Sequence, residues 1–342
     1  RLWAEVLEID VLVLEFEWAK AHKILKRLEP IVNEEEYSAL YISIKSSLAS
    51  ISFQLGNIES GLEQLDACIE YVKKRQDDYN INLLQYYING GLMTAMYMPE
   101  IAMKYLTPAK EIIDKHNMHN TTKNAGYLVC IGFAFANLGN DEDAYFALSE
   151  AINIWDKEKY IDNIFYYTSA NIKLARLDID AQLQFPEKDL FKQASRRIER
   201  SEKIAKEYGG NNEVLLADVY ATRSLLLLYS DKFVEANEYF LKSIKIYDEK
   251  GVSVAAAGQK IMYAMSLYFT KEETKGIELL ESIVEDEKLP DNIEGLASIM
   301  LYRIYYNYFP SKAIKLLLST IKIDKEIMLS SYQFMSDEEK QR

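Results

Sequence analysis

The sequence has 342 residues, of which only 13 are Gly and 6 are Pro. That is under half the roughly 12% usual for the two together, which excludes a loop-rich β-sandwich, a collagen-like chain and a Pro/Gly-rich disordered tract. With 49% hydrophobic and 27% charged residues the chain can bury a sizeable core, and its net charge of −13 sets it against nucleic acid and anionic lipid unless a basic face is segregated.

Taken in chain order, the sequence repeats one pattern. Ile9 and Leu12 precede Ala21, Leu25 and Leu28. Leu48 and Ala49 precede a Leu55-Gly56-Asn57 turn and then Gly61, Leu65 and Cys68. Tyr86 and Gly90 precede Ala102, Leu106 and Ala109. The clearest unit follows: an apolar run from Tyr127 to Leu138 with Gly132 in its middle and Phe135 three residues on, a Gly139-Asn140 turn, then Ala144, Leu148 and Ala151. A more degenerate unit has Tyr167, Ala170, Leu174 and Leu177, then Ala194, Ile198 and Ser201. Three more run from Tyr220, Ser224 and Leu227 to Ala236, Phe240 and Ser243; from Ala264 and Leu267 to Gly276, Leu280 and Ile283; and from Leu301 and Ile304 to Ala313, Leu317 and Thr320. Apolar positions three and four apart, broken by a C-capping Gly, specify a helical hairpin in each case.

A small residue opens each second helix, at 21, 61, 102, 144, 194, 236, 276 and 313, in steps of 40, 41, 42, 50, 42, 40 and 37. Where two helices cross closely, a large side chain there would force the backbones apart. One hairpin cannot bury its apolar stripe alone, so neighbours must stack. The pattern resembles the tetratricopeptide (TPR) repeat family over 1–320. It departs from that family in lacking the Trp of the first helix in most units and in exceeding the family's period of about 34 residues. The fold expected is all-α: a right-handed TPR-like α-solenoid of about eight helical hairpins plus a terminal helix. Segment 182–190 breaks the frame at Pro186, with Asp189 able to cap the next helix, and reads as a surface insertion or a hinge.

Beyond the array, 321–342 is expected to lead into a further domain. Ser336 and Glu339 form a capping box, so a helix is starting where the sequence stops, and the chain opens on Arg1 rather than Met. The run from Ser331 to Arg342 resembles the junction before a CHAT (caspase-type) peptidase domain in bacterial TPR proteins, which implies a regulatory arm and carries no catalytic residue over.

By the helical phase of the TPR family, the first helices line a groove. Its contact residues are expected to include Phe53, Tyr87, Phe133, Leu225, Met265, Tyr268, Tyr302 and Tyr305. Tyr offers a large contact area with a polar tip at modest entropy, which suits peptide recognition. The places where some TPR proteins clamp a peptide carboxylate with Lys and Asn hold Ser46, Ser50, Tyr87 and Gly91, so that clamp is missing. Catalytic motifs are absent as well: no Walker loop, GxGxxG, HExxH or GxSxG occurs. His116 and His119 flank an inter-unit turn without a third ligand nearby, and Cys68 and Cys130 sit at small-residue positions of the frame, form no CxxC pair, and read as buried thiols. The one basic helix face, Lys192, Arg196, Arg200 and Lys203, is interleaved with Glu199, Glu202 and Glu207 and reads as a solvated surface.

The function expected is a non-catalytic, cytoplasmic scaffold binding a protein or peptide without cofactor or metal, nucleic acid or membrane, as the regulatory arm of a larger bacterial protein. The alternative is the signalling-peptide receptor of a TPR-type transcriptional regulator.

Overall fold

The computed structural model describes residues 2–14, 18–33, 38–54, 57–75, 81–158, 163–186, 188–208, 213–286, 289, 291–305, 314 and 318. Among them every regular element is helical and no strand occurs. The helices come in antiparallel pairs. These are α1 (Leu2–Leu14) with α2 (Trp18–Leu28), α3 (Ser38–Gln54) with α4 (Ile58–Arg75), α5 (Ile81–Tyr97) with α6 (Met103–Lys115), and α7 (Thr122–Asn137) with α8 (Asp141–Glu158). They continue as α9 (Ile164–Gln184) with α10 (Leu190–Tyr208), α11 (Glu213–Tyr229) with α12 (Phe233–Glu249), and α13 (Ser253–Phe269) with α14 (Glu273–Val284), followed by α15 (Asp291–Tyr305). The chain divides into two compact units, 1–170 and 171–342, at a point inside α9.

The small residue that heads each second helix sets the register within both units. Ala21, Gly61, Ala102, Ala144, Ala194, Ala236 and Gly276 are all buried. So are the large residues four later: Leu25, Leu65, Leu106, Leu148, Ile198, Phe240 and Leu280. Burying each of those large side chains contributes about 1.5–3 kcal/mol. A second small residue faces the first from twelve positions earlier in the chain: Ala49 before Gly61, Gly132 before Ala144, Ser224 before Ala236, Ala264 before Gly276. The clearance is tight. A Cβ on Gly276 would sit 2.9 Å from the Ala264 carbonyl oxygen, and one on Gly61 would sit 3.1 Å from that of Ala49.

The turns repeat as closely as the crossings. Gly139, Asp231 and Lys271 each follow the last residue of a first helix by two positions with positive φ, at 77°, 58° and 64°. The next residue's N–H then bonds back to a carbonyl in the last turn: Asn140 to Phe135 at 2.8 Å, Lys232 to Leu227 at 2.9 Å, Glu272 to Leu267 at 2.9 Å. These bonds satisfy carbonyls the helix itself leaves open. Four residues on, the small residue donates its own N–H to the turn, as Ala144 to Asn140, Ala236 to Lys232 and Gly276 to Glu272. The turn therefore delivers the small side chain to the crossing at a fixed phase.

The pair α5–α6 departs from this. A 3-10 turn, Pro99–Ile101, replaces the left-handed residue, and Gly91 precedes Ala102 by eleven residues rather than twelve. A Cβ on Gly91 would strike the Leu106 side chain, just as one on Gly132 would strike Leu148, so Gly91 holds the crossing position in this pair.

The long step between Ala144 and Ala194 is largely helix: α9 has 21 residues against 16 in α7. The turn after α9 is held by Gln182, whose Nε2 donates to the Pro186 carbonyl at 2.8 Å while its Oε1 accepts from the Leu190 N–H at 2.6 Å. Ala313, Leu317 and Thr320 of the eighth hairpin, the Leu55-Gly56 part of the second turn, and the whole of 321–342 lie outside the described residues.

Candidate functional site

In the first unit α5 is amphipathic in an unusual way. Leu83, Leu84, Tyr87, Ile88 and Leu92 are buried. Asn82, Gln85 and Asn89, spaced by three and four, share the opposite side. That side borders an open cleft of about 450 Å³ lined by Ile42 and Ser46 from α3, by Tyr71, Val72 and Arg75 from the end of α4, and by Asn82, Gln85, Tyr86 and Asn89 from α5.

The polar groups of the cleft are ordered by each other. Lys123 Nζ donates to Gln85 Oε1 at 2.8 Å, and Gln85 Nε2 donates to Asn89 Oδ1 at 2.8 Å. Asn89 thus accepts at its Oδ1, at the end of a relay that begins at Lys123. On the facing wall the Arg75 guanidinium lies 3.9 Å over the Tyr71 ring. Burial raises the Tyr86 phenol, with the Cys68 thiol adding to the shift, so Tyr86 is a hydroxyl donor at neutral pH. The arrangement places polar side chains beside apolar ones. An extended peptide, with its carbonyls and side chains alternating, matches such a surface.

The residues expected in the groove divide by burial. Phe53 is 2% exposed, and its ring covers the gap left at Gly61, where an added Cβ would meet Phe53 Cδ2 at 2.9 Å. Tyr87 is 3% exposed, with Lys73 Nζ 6.0 Å from its ring centre. Tyr305 is 4% exposed and donates to Glu281 Oε1 at 2.7 Å. These three hold helices together and offer a partner little surface, a correction to the sequence-based expectation.

Phe133 on α7 is half-buried. In the second unit Leu225 packs partly against Leu228, Ala236, Phe240 and Ile244, and Tyr302 packs partly against the cluster that includes Ile261, Leu280 and Leu301. Met265 is half-buried. Tyr268 is 42% exposed and meets Phe269 edge-on at 5.9 Å. The helices that carry them, α11, α13 and α15, contact in sequence order. The cleft residues Asn82, Gln85 and Asn89 were missed by sequence reasoning, although amides at these spacings on an otherwise apolar helix were there to be read.

In the second unit α9 and α11 tie several polar groups to neighbouring helices. Arg197 Nε donates to Asp178 Oδ2 at 2.9 Å, with the Asp178 side chain 1% exposed. Arg176 Nε donates to Thr222 Oγ1 at 3.1 Å. Tyr247 OH donates to Asp218 Oδ1 at 2.5 Å. Burial pushes the Asp218 carboxyl up, against the opposing pull of Tyr247 and Arg176.

Elsewhere the reactive side chains are engaged in packing or pairing. Cys68 and Cys130 are buried, with Sγ 3.9 Å from the Ile42 carbonyl and 3.5 Å from the Ile88 carbonyl. Burial pushes the Cys68 thiol up to about 12 despite nearby Lys45, and raises Cys130 likewise. A thiol held that high is a weak nucleophile at neutral pH. His119 Nε2 lies 3.6 Å from Asp114. Among the described residues no group of three or more His, Cys, Asp or Glu is placed to hold a metal, and no helix is long and apolar enough to cross a membrane. The basic face of α10 is interrupted by acid: Lys206 pairs with Glu202 at 2.6 Å, and Glu202 also holds Arg223 at 2.8 Å.

No protein-family model matches the sequence, and no curated protein matches it. Solved structures resemble the chain. A Rap protein complexed with competence and sporulation factor gives a TM-score of 0.61 at 12% identity, covering 96% of this chain and 98% of that one. The quorum sensor NprR from B. thuringiensis in its apo form gives 0.56 at 16% identity, covering 90% and 81%. NprR in complex with its cognate peptide gives 0.57 at 16%, covering 92% and 87%. A signal-transduction ATPase from Pyrococcus horikoshii with a tetratricopeptide repeat sensor gives 0.56 at 15%, covering 96% of this chain and 48% of that one. The chain has the TPR-like helical-solenoid fold.

Proposed function

We propose that this chain is a non-catalytic repeat module that binds a peptide or an extended protein segment, and that it serves as the cytoplasmic sensing arm of a larger bacterial protein. The observation that carries this reading is the amide-lined cleft between α3, α4 and α5, with its one-way relay from Lys123 through Gln85 to Asn89. Buried thiols of raised pKa and paired carboxylates supply no activated nucleophile, which favours binding over catalysis. A random octapeptide pool carrying a fluorophore tests it. Saturable binding to the unaltered chain is expected, with loss of at least tenfold in affinity for Gln85→Ala/Asn89→Ala at an unchanged thermal midpoint. Equal binding by both proteins removes the cleft from the account.

A second reading, the receptor portion of a peptide-responsive regulator, is favoured by the likeness to NprR, which has been solved with its cognate peptide. The full reading frame separates the two. A basic three-helix segment before Arg1 supports the receptor, and a caspase-type block after Arg342 supports the peptidase-linked arm.

A further inference from the structure

We infer that Lys123, which stands on α7 outside the cleft lining, is a positioning residue: it fixes the hydrogen-bonding sense of the cleft wall, so that Asn89 offers its N–H groups to a carbonyl of the bound peptide. This rests on the peptide-binding reading and narrows it. Lys123, Cys130 and Asn137 lie seven apart on α7 and so share one face of that helix. Each meets α5. Lys123 Nζ donates to Gln85 Oε1 at 2.8 Å, Cys130 Sγ lies 3.5 Å from the Ile88 carbonyl oxygen, and Asn137 Nδ2 donates to the Ala95 carbonyl at 2.7 Å. The register of the next hairpin against α5 therefore carries Lys123 to Gln85.

Two side-chain amides bonded to each other have no preferred sense. Gln85 could donate to Asn89 or accept from it, because each amide carries an oxygen and an NH2 group of nearly the same shape. A lysine ammonium has donors only. The group that faces Lys123 is therefore Gln85 Oε1, which leaves Gln85 Nε2 to donate to Asn89 Oδ1 at 2.8 Å. The Asn89 oxygen is thereby engaged, while its NH2 group has no partner among the described residues. A peptide carbonyl is the acceptor that completes it. Lys123 is itself exposed and bonds nothing else among the described residues, so it reaches a ligand only through Gln85 and Asn89. A carboxylate at position 123 would reverse the relay. It would accept from Gln85 Nε2, Gln85 Oε1 would accept from Asn89 Nδ2, and the Asn89 oxygen would be left to receive an N–H.

Two fluorescent octapeptide pools test this against the whole chain. Both are built from Ala, Leu and Phe with acetyl and dimethylamide ends, so the peptides carry no charge and only their backbone groups form hydrogen bonds. In one pool every backbone nitrogen is methylated, which keeps the carbonyls and removes the N–H donors. The quantity read is the ratio of the two affinities, because the effect of methylation on the peptides themselves is common to every variant. In Lys123→Glu the advantage of the N–H pool is expected to grow about fivefold over that in the unaltered chain, one neutral hydrogen bond being at stake. Lys123→Arg, again a donor only, should keep the original ratio, and Lys123→Met, which frees the amide pair to flip, should fall between. The thermal midpoint of each variant is checked against the unaltered chain. A ratio equal in all four proteins, with binding lost in Gln85→Ala/Asn89→Ala, overturns the role of Lys123 and leaves the peptide site standing. The same rise in Lys123→Arg as in Lys123→Glu also overturns that role. Binding of neither pool, or binding indifferent to Gln85→Ala/Asn89→Ala, overturns both.

Discussion

In the first unit α7 crosses α8 through Gly132 and Ala144; in the second, α13 crosses α14 through Ala264 and Gly276, the same two residue types exchanged between helices. Each crossing lacks one Cβ, but what that Cβ would strike differs. At Gly132 it meets the Leu148 side chain, at 2.7 Å from Cγ. At Gly276 it meets backbone, at 2.9 Å from the Ala264 oxygen. The frame asks only for closeness; what an added side chain would strike differs from crossing to crossing. The units differ in a second way. On the first, Asn82, Gln85 and Asn89 line a cleft, whereas on the second Arg176, Asp178 and Asp218 are joined to partners within the unit. The stacking rule fixes the small residues of the crossings and leaves these polar positions open to differ between the units.

The largest effect expected from breaking this contrast is at Asp178. Asp178→Ala leaves Arg197 without its buried partner and lowers stability by about 3–5 kcal/mol, read as a fall in the urea midpoint. Asn89→Ala in the first unit, which breaks a relay on the cleft, changes that midpoint by under about 1 kcal/mol.

The two crossings sharpen the comparison next. Gly276→Ala is expected to lower stability by about 2 kcal/mol, because the Ala264 backbone cannot give way. Gly132→Ala is expected to lower it by less, since its nearest contact is the Leu148 side chain rather than backbone and Ala gains about 1 kcal/mol of helix propensity over Gly. Paired denaturation curves decide, and a larger loss at Gly132 contradicts the distinction between side chain and backbone.

A smaller effect of opposite sign belongs to the turns. Gly139 holds its positive φ without strain, but Asp231 and Lys271 hold theirs with a side chain attached. Asp231→Gly and Lys271→Gly are each expected to raise stability by about 0.5–1 kcal/mol, and Gly139→Ala to lower it by a similar amount.

The smallest is a dependence on pH. Because Asp218 has a raised folded pKa, mainly through burial, its contribution is fully present below the unfolded value of about 3.9 and is lost as pH rises through the folded one. The stability of Asp218→Asn relative to the unaltered chain should therefore increase across that interval. A difference between denaturation midpoints that stays flat as pH rises from below about 3.9 to neutrality goes against it.

The register was legible because it is a packing requirement written in small residues at a near-constant period: Ala21, Ala144 and Ala236 could be named from spacing alone. The binding face was harder, for two physical reasons. Aromatic residues serve cores and partners equally well, so Phe53 over Gly61 and Tyr305 on Glu281 look the same in sequence as Tyr268, which is exposed. At Tyr87 the difficulty is the helix face: Leu83, Leu84, Tyr87 and Ile88 turn into the core, and Asn82, Gln85 and Asn89 border the cleft. The amide row on α5 was readable in principle, but weight placed on Tyr hid it.

The most direct test of the account is to map where a peptide sits. An octapeptide pool carrying a photoreactive benzophenone, crosslinked to the whole chain and digested for mass spectrometry, should label the cleft walls at Ile42, Tyr71 or Tyr86. Labelling confined to outward apolar residues of the second helices, such as Phe146, Val234 or Leu241, would contradict it.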